Sequence, residues 1–188
     1  MAKVTITEAL AELKTIDRRL VKKREHILGV CVRQEAFKDP LLADGGSAKF
    51  IAEERQSIAD LESRRVAIRV AINRVNLETN IALATVTMNV AEWLVWRREV
   101  ANGIAEFHKA LRGKIEQARK EAQARGYAVV ADPAAAKVPT DLIVNVDEAK
   151  LLAEIEKMED ILGSLDGQLS LKNATVMVEV PDGVLVQA

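Results

Sequence analysis

Two histidines, one cysteine and a large set of carboxylates are the residues of this chain that could perform bond chemistry. His26 sits in KKREHILG and His108 in EFHKAL, and neither has a second histidine four residues on or a Cys-x-x-Cys nearby. The spacing of a zinc site is therefore missing. Cys31 falls on the apolar face read for the first helix, where a small buried side chain is the default; a nucleophile would need a base that the sequence does not place. Carboxylates such as Glu121 lie four residues from a basic residue, here Arg125, which is the dress of a solvated helix. Asp44-Gly45-Gly46-Ser47 has the makings of an anion cradle at a helix start, but it lacks the Gly-Lys-Ser/Thr ending of a phosphate loop and reads as a turn with a cap. Asp39 and Asp44 lack the alternating acidic spacing of a calcium loop. The expectation is no catalytic residue, no cofactor, no metal, and a protein that is not an enzyme.

The charged and aromatic clusters point toward binding. Arg18, Arg19, Lys22, Lys23 and Arg24 form one basic patch; Arg64, Arg65 and Arg69, with Arg74, form another. Pairing with acidic faces of other helices or subunits is the favoured reading. Phosphate contact with nucleic acid is the alternative, and it would make binding steeply salt-dependent. Trp93 reads as core. Trp96 and Arg97 read as the edge of an interface, because tryptophan and arginine are enriched there.

Positioning these groups falls to long helices. Of the 188 residues 49% are hydrophobic but only 3% aromatic, so a core must come from Leu, Ile, Val and Ala, which suits helix-on-helix packing. Charge is balanced, 27 basic against 28 acidic, whereas nucleic-acid binders usually carry a basic excess. A single cysteine rules out an intrachain disulfide. The longest uncharged run, 79–91, is too short and too rich in Thr and Asn to span a bilayer, which takes about 20 residues. The opening residues carry Glu8 and Glu12 where a signal peptide needs an apolar core.

The elements follow from periodicity. Thr5-x-x-Glu8 has capping-box spacing. Ile6, Leu10, Leu13, Leu20, Ile27 and Cys31 then fall on a 4-3 ladder predicted to stop near Lys38, ahead of Pro40. After a Gly-Gly loop, with Ser47 as cap, Ile51, Ile58, Arg65, Ile72 and Thr79 recur every seven residues beside Leu61, Ile68, Val75 and Ala82. Two patterned segments of similar length around a short polar loop imply an antiparallel hairpin. Residues 81–90 alternate with period two, as one strand or a hairpin, and Asn89-x-x-Glu92 restarts a helix. Its core stripe is read as Trp93, Val100, Ile104, Phe107, Leu111, Ile115, Ala118 and Ala122, ending at Gly126. Residues 127–146 read as a crossing segment. Asn145-x-x-Glu148 then opens a fourth, shorter helix through Leu151, Ile155, Met158, Leu162 and Leu165. Alternating Val176, Val178 and Val180, the turn Pro181-Asp182-Gly183, and Val184 and Val186 read as a C-terminal hairpin. An isolated ribbon is marginal, so those valines are also interface candidates that would pair with strand 81–90 or with a neighbouring subunit.

Ile72-Asn73-Arg74-Val75-Asn76, Thr79 and Val90-Ala91-Glu92-Trp93-Leu94, with the opening ITEALAELKTIDRRLVKKRE, resemble a pattern in septicolysin-like helical proteins over roughly residues 5–115. That resemblance implies a helix hairpin with a β-turnaround and no catalytic signature. The longer chain also looks like proteins encoded in tailed-phage genomes, which implies a virion or assembly component. The fold expectation is mainly α with a small β part. Residues 1–126 form a long three-helix antiparallel bundle with its turnaround, 127–146 the crossing segment, and 147–188 the fourth helix and hairpin. The functional expectation is a non-catalytic structural protein that forms a homo-oligomer or part of a larger particle, a bacteriophage virion in the most specific form. Its partners would be itself and other structural proteins, with no membrane. It would reside in the virion after assembly in the host cytoplasm, or in the cytoplasm otherwise.

Overall fold

The computed structural model describes residues 2–131 and 133–180. The fold is mainly helical with small β pieces, as the periodicity predicts. In chain order it comprises β1 (Ala2–Thr5), α1 (Ile6–Val30), α2 (Ser47–Glu78), β2 (Asn80–Leu83) and β3 (Val86–Asn89). Then follow α3 (Val90–Val95), a π-helical turn (Trp96–Ala101), α4 (Asn102–Arg125), β4 (Val129–Val130), β5 (Leu142–Ile143), α5 (Glu148–Thr175) and β6 (Met177–Val180). Two compact units share these elements: one is 1–79 with 169–188, the other 80–168. α5 contributes residues 148–168 to the second unit and its last two turns, 169–175, to the first.

In the first unit α1 and α2 form the antiparallel hairpin. The Thr5 box is complete: Thr5 Oγ1 accepts from the Glu8 amide at 3.2 Å, and Glu8 Oε2 accepts from the Thr5 amide at 2.7 Å. The buried row of α1 is Ile6, Ala9, Leu13, Ile16 and Leu20. Leu10, read into the ladder, stands 45% exposed, and its neighbour Ala9 takes the buried position. The helix ends at Val30, not near Lys38, and Cys31 is exposed. Gly29 and the β-branched Val30 and Val32 are weak helix formers, and no core beyond Leu20 offsets that cost. α2 buries Leu61, Ile68 and Ile72 against this row.

The start of α2 is set differently from the reading. Gly45 and Gly46 take φ of 98° and 90°, open to glycine alone without strain. Asp39, eight residues upstream, accepts from the Ser47 amide (2.8 Å), the Ser47 hydroxyl (2.6 Å) and the Leu41 amide (2.9 Å). Ser47 is thus the capped residue and Asp39 the cap. The same hydrogen bonds hold the Asp39 carboxyl below its ordinary pKa, that from the Ser47 hydroxyl most.

The C-terminal ribbon finds its partner in the chain's own N-terminus. β6 pairs antiparallel with β1, with Val178 opposite Val4 and Val180 opposite Ala2. Val178 and Val180 face inward and are buried among Val4, Ile6, Ile68 and Ile72, while Met177 and Glu179 face out. The Thr7 hydroxyl donates to the Asn173 carbonyl at 3.0 Å and the Ile6 amide to that of Val176 at 3.2 Å, tying the end of α5 to the start of α1. The expected turn 181–183, Val184 and Val186 lie outside the described residues.

In the second unit the alternating stretch is a hairpin, Ile81 opposite Met88 and Leu83 opposite Val86. Its two-residue turn places Ala84 at φ 52°, a left-handed conformation that costs a non-glycine residue about 1 kcal/mol. The Asn89 box is complete, with the Asn89 side chain accepting from the Glu92 amide and Glu92 Oε2 from the Asn89 amide, both at 2.8 Å. The π turn then inserts one extra residue, so the buried row passes from Trp93 to Ala101 and on to Ile115 and Ala122. Val100 and Phe107, expected in that row, are exposed as a result. α4 closes on Gly126 at φ 72°, where the Tyr127 amide donates back to the Ala122 carbonyl.

Residues 127–146 hold a two-residue parallel ladder, Val129 opposite Leu142 and Val130 opposite Ile143. Asp141 gathers the loop by accepting from the amides of Lys137 (2.8 Å), Val138 (3.2 Å) and Ala128 (3.3 Å). The Asn145 box is replaced by Asp147, which accepts from the Ala149 and Lys150 amides at 3.1 Å each. α5 then runs 28 residues to Thr175, past Gly163 and Gly167, and is longer than the sequence suggested.

Candidate functional site

The basic patches face an acidic counterpart within their own hairpin. Glu12 stands 3.5 Å from Arg64 Nη2, Asp17 3.2 Å from Arg65, Glu54 2.8 Å from Lys23, and Glu62 2.6 Å from Arg24. Glu12 and Asp17, early in α1, meet Arg64 and Arg65, whereas Lys23 and Arg24, further on, meet Glu54 and Glu62, earlier in α2, as antiparallel packing requires. Arg64 and Glu12 are the most enclosed, at 19% and 11% side-chain exposure. Burial lowers the Arg64 pKa, opposed by the nearby Glu12 charge and reinforced by Arg19. Among the described residues its Nε and Nη2 atoms meet no hydrogen-bond acceptor, and the 3.5 Å approach to Glu12 is a charge attraction. Arg18, Lys22 and Arg69 are exposed and Arg19 is half-buried. Lys23, Arg24, Arg64 and Arg65 are thus paired within the hairpin.

Trp93 is core, and its indole N–H donates to the Ile81 carbonyl at 3.0 Å, locking the hairpin β2–β3 onto the start of the helix. Trp96 packs edge-on against it, ring centres 5.4 Å apart at 87°, and is itself half-buried. Arg97 points outward and pairs with Asp166 of α5 at 2.6 Å. Further along the same two helices, His108 Nε2 lies 3.7 Å from Glu154, and Arg119 pairs with Glu148. Between α4 and α5 a cleft of about 480 Å³ has an apolar floor of Ala105, Ile155, Met158 and Leu162. Lys109, Arg112, Glu116 and Glu159 stand around it in opposite charges. Among the described residues no group of three or more His, Cys, Asp or Glu side chains is placed to hold a metal ion. No described helix is long and apolar enough to cross a membrane.

No family model and no curated protein matches the chain. Among solved structures it is similar to the crystal structure of a functionally unknown conserved protein from Corynebacterium diphtheriae. The two are 16% identical, and the match covers 95% of this chain and 100% of that one with a TM-score of 0.56. At this identity the likeness is one of fold.

Of the interface candidates, Trp96 and Arg97 lie at the surface of the second unit, whereas Val178 and Val180 are spent inside the first and Val176 is half-buried beside them. The largest apolar exposure lies elsewhere. Val66, Val70 and Leu77 of α2 are 58%, 51% and 61% exposed, and Leu28, Val32, Phe37 and Leu42 crowd the α1–α2 connection. The α2 residues carried a signal that sequence reading passed over: a second heptad row, in phase with no buried position of the first.

Proposed function

We propose that this chain is a non-catalytic structural component that associates with copies of itself and with other structural proteins. Surface is the observation that carries the reading. Along α2, Val66, Val70 and Leu77 stand 58%, 51% and 61% exposed in one row. Large apolar side chains in such a row are something soluble monomers seldom leave bare. Helices that each bury one stripe and leave another bare suit packing into an assembly. The particle form of the proposal, a tailed-phage virion, rests on the sequence resemblance noted above.

Light scattering on the purified chain tests the self-association; dimers or larger species in the micromolar range are expected, and a monomer at all concentrations overturns it. Mass spectrometry of purified particles from the source tests the virion form. Recovery of this chain in stoichiometric amount is expected, and its absence from particles removes that form.

A further inference from the structure

α2 has two sides. One packs Leu61, Ile68 and Ile72 against α1. Nearly opposite, at about 100° per residue, runs a second row with 4-3 spacing: Ala52, Gln56, Ala59, Ser63, Val66, Val70, Asn73 and Leu77. Every one of these residues is exposed. The row is graded, with small or polar side chains in its first half and the bulky ones in its second.

We propose that this outer face docks on the same face of a second copy, α2 against α2, antiparallel about a two-fold axis. The inference rests on the self-association reading and names its surface and register. One register fills every layer with a small residue against a large one, or polar against polar. Ala52 meets Leu77 of the partner subunit, Gln56 meets Asn73 of the partner subunit, Ala59 meets Val70 of the partner subunit, and Ser63 meets Val66 of the partner subunit. Symmetry repeats each layer. The Gln56–Asn73 layer joins two side-chain amides, the kind of polar pair that fixes alignment in helical seams. The paired row spans roughly 38 Å at 1.5 Å per residue.

Flanking charges select the same register independently. Arg69 falls beside Glu62 of the partner subunit, and Arg74 beside Glu53 of the partner subunit, each twice by symmetry. Arg69, Arg74 and Glu53 are exposed, and Glu62 is also held by Arg24 of its own chain at 2.6 Å, giving a three-member charge chain. Sliding one heptad in one direction sets Arg69 against Arg69 of the partner subunit and leaves two attractive contacts, Arg74 beside Asp60 of the partner subunit, against four in the proposed register. Sliding the other way opposes Glu62 to Glu62 of the partner subunit and Asp60 to Asp60 of the partner subunit. Parallel pairing puts Arg69 beside Arg74 of the partner subunit, which offsets the attraction of Arg55 to Asp60 of the partner subunit. Like charges facing each other exclude wrong arrangements more effectively than attraction rewards the right one.

Equilibrium sedimentation of the full chain in reducing buffer tests the proposal with three variants: Arg74→Glu, the swap Glu53→Arg/Arg74→Glu, and Val70→Asp. Arg74→Glu turns two attractive contacts into repulsive ones and is expected to raise the dimer Kd about tenfold. The swap restores it to within about threefold, and Val70→Asp abolishes the dimer, while far-UV circular dichroism shows all three folded because every altered residue is exposed. If Arg74→Glu and Val70→Asp associate as the wild type does, the docking face is wrong while self-association stands. If the swap fails to rescue Arg74→Glu, the antiparallel register is wrong. A wild-type monomer throughout overturns both this inference and the reading beneath it.

Discussion

Val178 separates two accounts of the C-terminal strand, one in which it serves a neighbour and one in which it closes its own fold. Its side chain has no exposed surface and lies opposite Val4 in the β1–β6 pair. Replacing it with alanine removes two methyl-sized groups, about 1.6 kcal/mol of transfer free energy at ~0.8 each. The unfilled space adds about 1 kcal/mol at ~24 cal/mol per Å³. Val178→Ala should therefore cost about 2–3 kcal/mol. Its neighbour Met177 points outward at 47% exposure, so Met177→Ala should stay within about 0.5 kcal/mol. Urea unfolding followed by circular dichroism measures both. At a slope of ~2 kcal/mol per molar, the Val178→Ala midpoint should fall by about 1–1.5 M. Equal midpoints for the two variants would refute the intrachain packing. A Val178→Ala chain that keeps its stability but loses association would restore the intersubunit role that the alternation alone suggested.

Three further outcomes follow from local geometry. Ala84→Gly should stabilise the second unit by about 0.5–1 kcal/mol, because glycine takes the left-handed φ of 52° without a Cβ clash; a lower melting temperature would count against the turn. Trp93→Phe leaves the Ile81 carbonyl without its donor and should cost about 1–3 kcal/mol, seen as faster amide exchange in 80–89; unchanged exchange there would contradict it. Glu8, Asp39, Asp141 and Asp147 all have carboxyl pKa values lowered by hydrogen bonds, mostly from backbone amides, to their charged forms. Their contribution to stability is full above the unfolded carboxylate range, about 3.9–4.3, and disappears as pH falls through the lower folded values. Urea midpoints should be flat from neutral pH to about 5 and drop below about 4. Asp39→Asn should lower the neutral-pH midpoint and flatten the acid limb, and an Asp39→Asn curve parallel to wild type would refute the role of that cap.

Features that reside in a few adjacent residues were readable from the sequence. The Thr5-Glu8 and Asn89-Glu92 boxes, the Gly126 stop and the alternation over 81–90 each depend on neighbours within a turn, and each formed where expected. What escaped depends on contacts at longer range or on backbone irregularity. Asp39 reaches eight residues ahead to Ser47, beyond any capping template. The π turn at Trp96–Ala101 slips the buried row by one residue, so Ala101 takes the place read for Val100, and Phe107 emerges at 61% exposure. β6 pairs with β1 at the opposite end of the chain, a partnership that alternating valines cannot specify. The cation–carboxylate pairs between α1 and α2 were legible as composition, and their partners only as packing. Val66, Val70 and Leu77 lay in plain view as a second heptad, but the stronger inner heptad of the same helix masked them.

Sedimentation velocity of the wild-type chain over a hundredfold concentration range tests self-association most directly. A weight-average mass that climbs from 20.6 kDa to at least twice that value, and falls back at high salt, is the predicted result. A single species that stays at 20.6 kDa up to the highest concentration would contradict it.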